Sequence, residues 1–403
     1  MARTSAALPL AGIRVLDLTS VIMGPACTQI LGQYGADILK VEPPAGDIMR
    51  HAGARRDPGM GAMFLHVNHH KQSAVIDLKH PDGAALVREL AGQCDVFVHN
   101  IREDAIRRLG LDYESVRARR PDMIYAALTG YAEDGPYAGR PAFDDIIQAQ
   151  TGVPALYAEH TGEAPAYLPA LIADRYTGTA AAHRIVAQLF HRQRTGEGGY
   201  LNVSMFETLA EFTLSDHLGG LTFDAEHGAP YYSRLMTRYR RPYRTLDGYV
   251  AVLVYNDKHW QSFLTLTGDT DKLSDTRFTT AAGRAGHYDL IYTYLEGVIA
   301  SRTTADWIAT LGSADIPCTT VNTVPDLVED PHLEAIGFLP HYRHSQTGTV
   351  YRAINKNVDR AHSEPPIKGQ HTVQALADWG VEDARIQALL NDSVIHDGRT
   401  KPA

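Results

Sequence analysis

Over the first 130 or so residues, short apolar runs alternate with amphipathic stretches, and this limits the chain to few architectures. In GIRVLDLTSVIMGPACTQILGQYGADILKVEPP, the run Ile13 to Leu18 is apolar enough for a strand buried on both faces. Gly24-Pro25 opens a helix, Gly35 closes it, and Asp37 to Val41 is a second strand. The pattern then repeats. Ala74 to Leu78 predicts a strand, Pro81 to Gln93 a helix and Asp95 to His99 another strand, before two short helices and the strand Met123 to Leu128. Such alternation predicts an α/β fold with a right-handed, largely parallel sheet.

In a sheet of this kind, ligands bind beyond the carboxyl ends of the strands. That rule selects three segments: Thr19 to Met23, Asn100 to Arg102, and Thr129 to Tyr137. The turn after the first strand reads TSVIMGP, with no GxGxxG fingerprint, which disfavours a nicotinamide cofactor. Lys71, Lys79, Arg102, Arg107 and Arg108 gather near strand ends, where cationic side chains suit phosphate oxygens.

One carboxylate stands out downstream. In PALIADRYTGTAAAHRIVAQLFHRQRTGEGG, small and apolar residues continue at helical spacing from Asp174 until the glycines stop the helix. Asp174 at a helix start has two readings: an N-cap that accepts N–H bonds near Thr177, or a nucleophile kept ionised by the helix N-terminus. Asp144 and Asp145 likewise read as first-turn residues or as an acid/base pair.

A chain of 403 residues with 44% apolar content buries large cores and predicts two domains. The formal charge of −9 argues against a general nucleic-acid binder. No apolar run reaches membrane-spanning length, and MARTSAALPLAG is unlike a signal peptide, so a cytoplasmic location is expected. Cys27, Cys94 and Cys318 lie far apart, and the histidines form no metal-ligand spacing.

Five ordered blocks resemble the class III CoA-transferase family, the group of formyl-CoA transferase, carnitine CoA-transferase and α-methylacyl-CoA racemase. They are LAGIRVLDLTSVIMGPACTQILGQYGADILKVEPPAGD, NHHKQSAVIDLKHPDG, VFVHNIREDAIRRLGLDY, ALTGYAEDGPYAGRPAFDDIIQAQTG and LIADRYTGTAAAHRIVAQLFHRQRTGEGGYLNVSMFE. The likeness is close over about the first 215 residues, loose through about 220–330 and moderate at the C-terminus. It implies a Rossmann-like large domain built from both ends of the chain, a smaller α+β domain between, and an interlocked homodimer. The expected boundaries are 1–221 for the first part of the large domain, 222–330 for the small domain, and 331–403 for the linker and return.

The resemblance also implies that Asp174 is the catalytic aspartate and that coenzyme A or acyl-CoA is a substrate, with no tightly bound cofactor. Its carried-over CoA site is Ile22 and Met23, then Ile76, Asp77, Leu78 and Lys79, then Asn100, Ile101 and Arg102, with Arg108 and the backbone from Pro141 to Asp144. Pro43 replaces an arginine found in some members, leaving Arg50 or Arg102 to take its part. The racemase branch carries a histidine where this chain has Phe143, which moves the expectation toward transfer between an acyl-CoA and a small dicarboxylic acid; a 2-methylacyl-CoA racemase with Asp144 in the histidine's place and an inert CoA-binding protein are the alternatives.

In the second half, TLDGY predicts a hairpin with Asp247-Gly248 at its tip, followed by the strand Tyr249 to Val254. HWQSFLTL, ADWIATLGS and the stretch Leu290 to Ala300 predict helices, and HYRHSQTGTVYRAIN a second hairpin. The glycine run of formyl-CoA transferase is replaced by GAPYYSRLMTRYRRPYRTLDG, whose Tyr231, Tyr232, Arg234, Arg238, Tyr239 and Arg241 suit either a domain junction or the carboxylate of a dicarboxylic acceptor.

Overall fold

A computed structural model describes residues 8–223, 228–355 and 362–399. Most of the signal-peptide reading, residues 1–7, lies outside them. The first five strands are β1 (Arg14–Leu18), β2 (Asp37–Glu42), β3 (Lys71–Ile76), β4 (Val96–His99) and β5 (Ile124–Thr129). Each falls within three residues of its expected position. β6 (Gly199–Ser204) follows the long helix Ile172–Thr195. The smaller strands are β7 (Tyr243–Arg244), β8 (Tyr249–Val252), β9 (Cys318–Thr320), β10 (His341–Arg343), β11 (Val350–Arg352) and β12 (Ile395–His396).

The large sheet runs β12-β3-β2-β1-β4-β5-β6, parallel throughout except for β12. Without β12 this is the doubly wound order, in which the chain reverses direction across the sheet between β1 and β4. That switch point leaves a crevice at the carboxyl ends of both strands. The strands are apolar because helices cover both faces: Leu16, Leu39, Phe97 and Tyr125 pack with Leu86, Leu90, Ile106 and Val116 in one core.

The chain divides into two compact units, one of 1–151, 168–211 and 332–403, the other of 152–167 and 212–331. The sequence reading had kept 152–167 within the large domain; the helix Val153–Thr161 is instead counted with the second unit. The first unit takes its C-terminal residues deep into its centre, with Ala375, Leu376, Trp379, Ile386 and Ile395 in the same core as β1 and β4. The second unit holds the antiparallel sheet β7-β8-β9 over a core of Trp260, Phe263, Ile291, Leu295 and Trp307. Its β7-β8 turn closes by Thr245 N–H donating to the Gly248 carbonyl at 3.0 Å, with Asp247-Gly248 at the tip.

Candidate active site

A cavity of about 250 Å³ opens at the switch point of the first unit. Ser20, Val21 and Met23 line it from the end of β1, Asn100, Ile101 and Arg102 from β4, Gly130 and Tyr131 from β5, and Asp174 closes one wall. All three segments selected by the strand-end rule therefore meet there.

Asp174 lies in the first turn of Ile172–Thr195, but it is not the cap of that helix. The cap position is Leu171, which has no capping side chain, and the Thr177 hydroxyl finds no partner. Capping comes from another helix. Asp144, which opens Asp144–Gln150, accepts the Asp174 backbone N–H on Oδ1 at 3.0 Å and the Gln148 Nε2–H on Oδ2 at 2.6 Å. Gln148 in turn donates to the Ala170 carbonyl at 3.1 Å and accepts from the Leu168 N–H at 3.0 Å. Asp144 and Gln148, one turn apart, thus satisfy backbone groups that the helix start leaves without partners. Asp174 as a whole is only 8% exposed.

The expected helix-dipole effect on Asp174 is outweighed. Burial, and then the neighbouring Asp144 charge, push its carboxyl up to about 6, against a Met23 backbone N–H bond and Arg175, which pull it down. Removal from water costs a carboxylate more than the partial charge of a helix end returns. The group is nevertheless roughly nine-tenths ionised at pH 7.

Close backbone approach sets its position. A Cβ on Gly178 would lie 2.5 Å from the Met23 carbonyl oxygen and 3.2 Å from the Ala26 Cβ, so only glycine lets Ile172–Thr195 sit this near Met23–Gln33. Gly178→Ala is expected to destabilise the protein by about 1–3 kcal/mol, read as a lower thermal midpoint, and to lower activity as Asp174 is pushed from Met23. Gly130 is constrained in the same way by Ala142, whose Cβ would be 2.3 Å from an added one. The 139–142 loop thereby closes over the end of β5.

Positive charge in the cavity comes from Arg102 and Arg140, neither of which has a carboxylate partner among the described residues. Arg140 rests on the Tyr137 ring at 4.3 Å. Phe143, 67% exposed, lines the same cavity, and no histidine does.

The sequence-derived CoA residues separate into groups. Met23, Asn100, Ile101, Arg102 and Pro141 line the cavity with Asp174. Ile22 is buried beside them, and Asp144 lies beneath, holding Asp174. Ile76, Asp77, Leu78 and Lys79 stand at the end of β3, two strands from β1, and Arg108 lies on the exposed face of Glu103–Arg108; none of these five lines the cavity. Two expected phosphate contacts are committed elsewhere. Lys71 is buried and bonded to Asp17 at 3.2 Å, and Arg50 is clamped on Glu42 at 2.6 and 2.7 Å. Arg107 pairs with Glu103 at 2.6 Å.

Glu103, Arg140 and Met205 were not singled out from the sequence; Arg140 adjoins Pro141 and was within reach of the same loop argument. In the second unit, Arg234, Arg240 and Arg241 line a separate cavity of about 480 Å³, where Arg241 is paired with Glu296 at 2.7 Å. No metal-ligand cluster occurs among the described residues, and no helix there is long and apolar enough to cross a membrane.

A doubly wound sheet with a buried carboxyl at its switch point, largely ionised at pH 7, defines an α/β protein with a candidate catalytic group where such sheets bind their ligands. The family described as CoA-transferase family III matches residues 10–372, and the chain belongs to it: it is a class III CoA-transferase. It is 29% identical over 388 residues to a succinate–glutarate CoA-transferase of Agrobacterium fabrum, covering 92% of this chain and 95% of that one. A probable fatty acyl-CoA transferase of Mycobacterium tuberculosis is 30% identical over 393 residues, covering 94% and 100%. Formyl-CoA:oxalate CoA-transferase of Escherichia coli O157:H7 is 26% identical over 419 residues, covering 96% and 99%. Among solved structures, a CAIB/BAIF family protein from Brucella suis superposes with a TM-score of 0.76 at 27% identity, covering 93% of this chain and 100% of that one.

Proposed function

We propose that the enzyme moves CoA from an acyl-CoA donor to a small dicarboxylic acid, with Asp174 as the covalent carrier, and that it works as a homodimer. An Asp174 carboxylate oxygen attacks the thioester carbonyl; the C–S bond breaks and CoA leaves as thiolate, giving a mixed anhydride. The thiolate then attacks the Asp174 carbonyl, the donor acid departs as carboxylate, and an aspartyl-CoA thioester remains. An acceptor carboxylate attacks that thioester and expels CoA thiolate, giving a second mixed anhydride; the thiolate, held in the site, attacks the acceptor carbonyl, and the anhydride C–O bond breaks to release the new acyl-CoA and the Asp174 carboxylate. Each step exchanges one good leaving group for another, which divides a difficult transfer.

One observation carries this reading: the Asp174 carboxyl is buried at the wall of the switch-point cavity and yet titrates to its anionic form below neutral pH. Arg102, at the cavity wall, is the proposed partner of the CoA phosphates. Backbone N–H groups of the glycine-containing Thr129–Tyr131 turn are the candidates for stabilising the oxyanion of each step. A dicarboxylic acceptor is supported by the relatives named for succinate, glutarate and oxalate. Phe143 stands where the racemase branch carries a histidine, which supports transfer over racemisation at a thioester α-carbon.

Incubation with succinyl-CoA and a panel of small carboxylates, followed by mass spectrometry, is expected to show new acyl-CoA thioesters and CoA mass attached to the peptide containing Asp174. Deuterium entering the acyl α-carbon with no transfer would reject the reading.

A further inference from the structure

The loop from Thr19 to Met23 forms the cavity wall facing Asp174, and its shape is unfavourable in itself. Val21 has φ of 70°, in the left-handed region, which a β-branched side chain strongly disfavours. Such a conformation persists only where its surroundings over-determine it. They do so here through buried charge. Asn100 holds Ser20 at both ends, its Oδ1 accepting the Ser20 N–H at 3.0 Å and its Nδ2 donating to the Ser20 carbonyl at 2.8 Å. The Val21 N–H donates to Asp47 Oδ1 at 3.3 Å, while Asp47 Oδ2 receives Lys40 Nζ at 2.9 Å. Lys40 Nζ also donates to the Thr19 carbonyl at 2.7 Å. Below, Asp17 accepts the Thr19 N–H at 2.9 Å and pairs with Lys71.

Lys40, Asp47 and Asp17 are each at most 2% exposed, and a buried ion pair is seldom retained for stability alone. None of the three lines the cavity. Each instead reaches a backbone group of the 19–23 loop, one of the segments that do. Resting on the function proposed above, we propose that Asp47 is a positioning residue: through the Val21 N–H and through Lys40 it holds the strained 19–23 loop against the Asp174 carboxyl.

The test removes both members of the buried pair together, because Asp47→Ala alone strands the Lys40 charge. In the full-length Lys40→Met/Asp47→Ala variant, amide hydrogen exchange of the Thr19–Met23 segment is expected to quicken. The maximal transfer rate is expected to fall on the order of tenfold to a hundredfold from misplacement of the wall. As the Met23 N–H bond to Asp174 loosens, the acid limb of the rate profile moves to higher pH. Adding Val21→Gly, which adopts positive φ without help, is expected to recover part of the rate. Unchanged exchange in the loop, or a rate loss that Val21→Gly leaves untouched, overturns the proposal. If the double variant does not fold, Asn100→Ala, which cuts both Ser20 bonds and strands no charge, is read by exchange alone. Because exchange is measured without substrate, it judges the positioning role even if the parent enzyme transfers no CoA.

Discussion

Asp174→Asn is expected to lose CoA transfer by a factor on the order of 10⁴ or more while becoming more stable at neutral pH. The two halves of that result have one cause. The Asp174 carboxyl titrates at about 6, above the ordinary aspartate value of 3.8, because burial and Asp144 disfavour its anion. A group whose pKa is raised on folding contributes stability below its unfolded value, and this is lost as the pH climbs through the folded one. The parent enzyme therefore holds that contribution near pH 3.8, gives it up between there and about pH 6, and carries a destabilising anion at pH 7. Asparagine has no charge to desolvate, so the variant should gain about 2–3 kcal/mol at pH 7. Thermal denaturation at pH 7 and pH 4 measures this: the midpoints should differ at the first and converge at the second. A variant that retains transfer, or that is destabilised at pH 7, would contradict a reactive buried carboxylate.

Asp144→Asn separates charge from position. The amide oxygen can still accept the Asp174 N–H, although the amide nitrogen no longer accepts from Gln148, and the charge that helps push the Asp174 carboxyl up is gone. The acid limb of the rate profile should move to lower pH, and a displacement of half a pH unit would raise the active fraction at pH 5 about threefold. Asp144→Ala, in contrast, removes the cap as well as the 2.6 Å bond to Gln148, at a stability cost of about 1 kcal/mol. Rate profiles between pH 4.5 and 8 distinguish the two. An acid limb that does not move in Asp144→Asn would show that Asp144 acts on Asp174 by position only.

The sheet and the place of its crevice could be read from the sequence because parallel strands covered on both faces leave unbroken apolar runs, and the chain passes straight from each to the ligand side. Thr19–Met23, Asn100–Arg102 and the Thr129 turn were found in this way. Charge was harder. Lys71 and Arg50 look like phosphate ligands in one dimension, whereas each faces a carboxylate brought by a different element, Asp17 from β1 and Glu42 from β2. The strand pattern itself held the hint, since Asp17 and Lys40 interrupt otherwise apolar runs. The site's dependence on Asp144 was equally hidden: 30 residues separate its carboxylate from the N–H it accepts. β12, two residues long and paired in reverse to β3, leaves too short a trace for any periodicity argument.

That last strand bears on how the protein is made. Ser73 and Val75 of β3 bond to His371 and Thr372, nearly 300 positions away, and Ile395 seals the edge opposite Ile76. During synthesis the apolar flank of β3 therefore waits, uncovered, until residues 371–396 have left the ribosome. A stop codon that removes even the final twenty residues would leave this flank sticky, so such products should fall to chaperones and proteases rather than accumulate as smaller working enzymes.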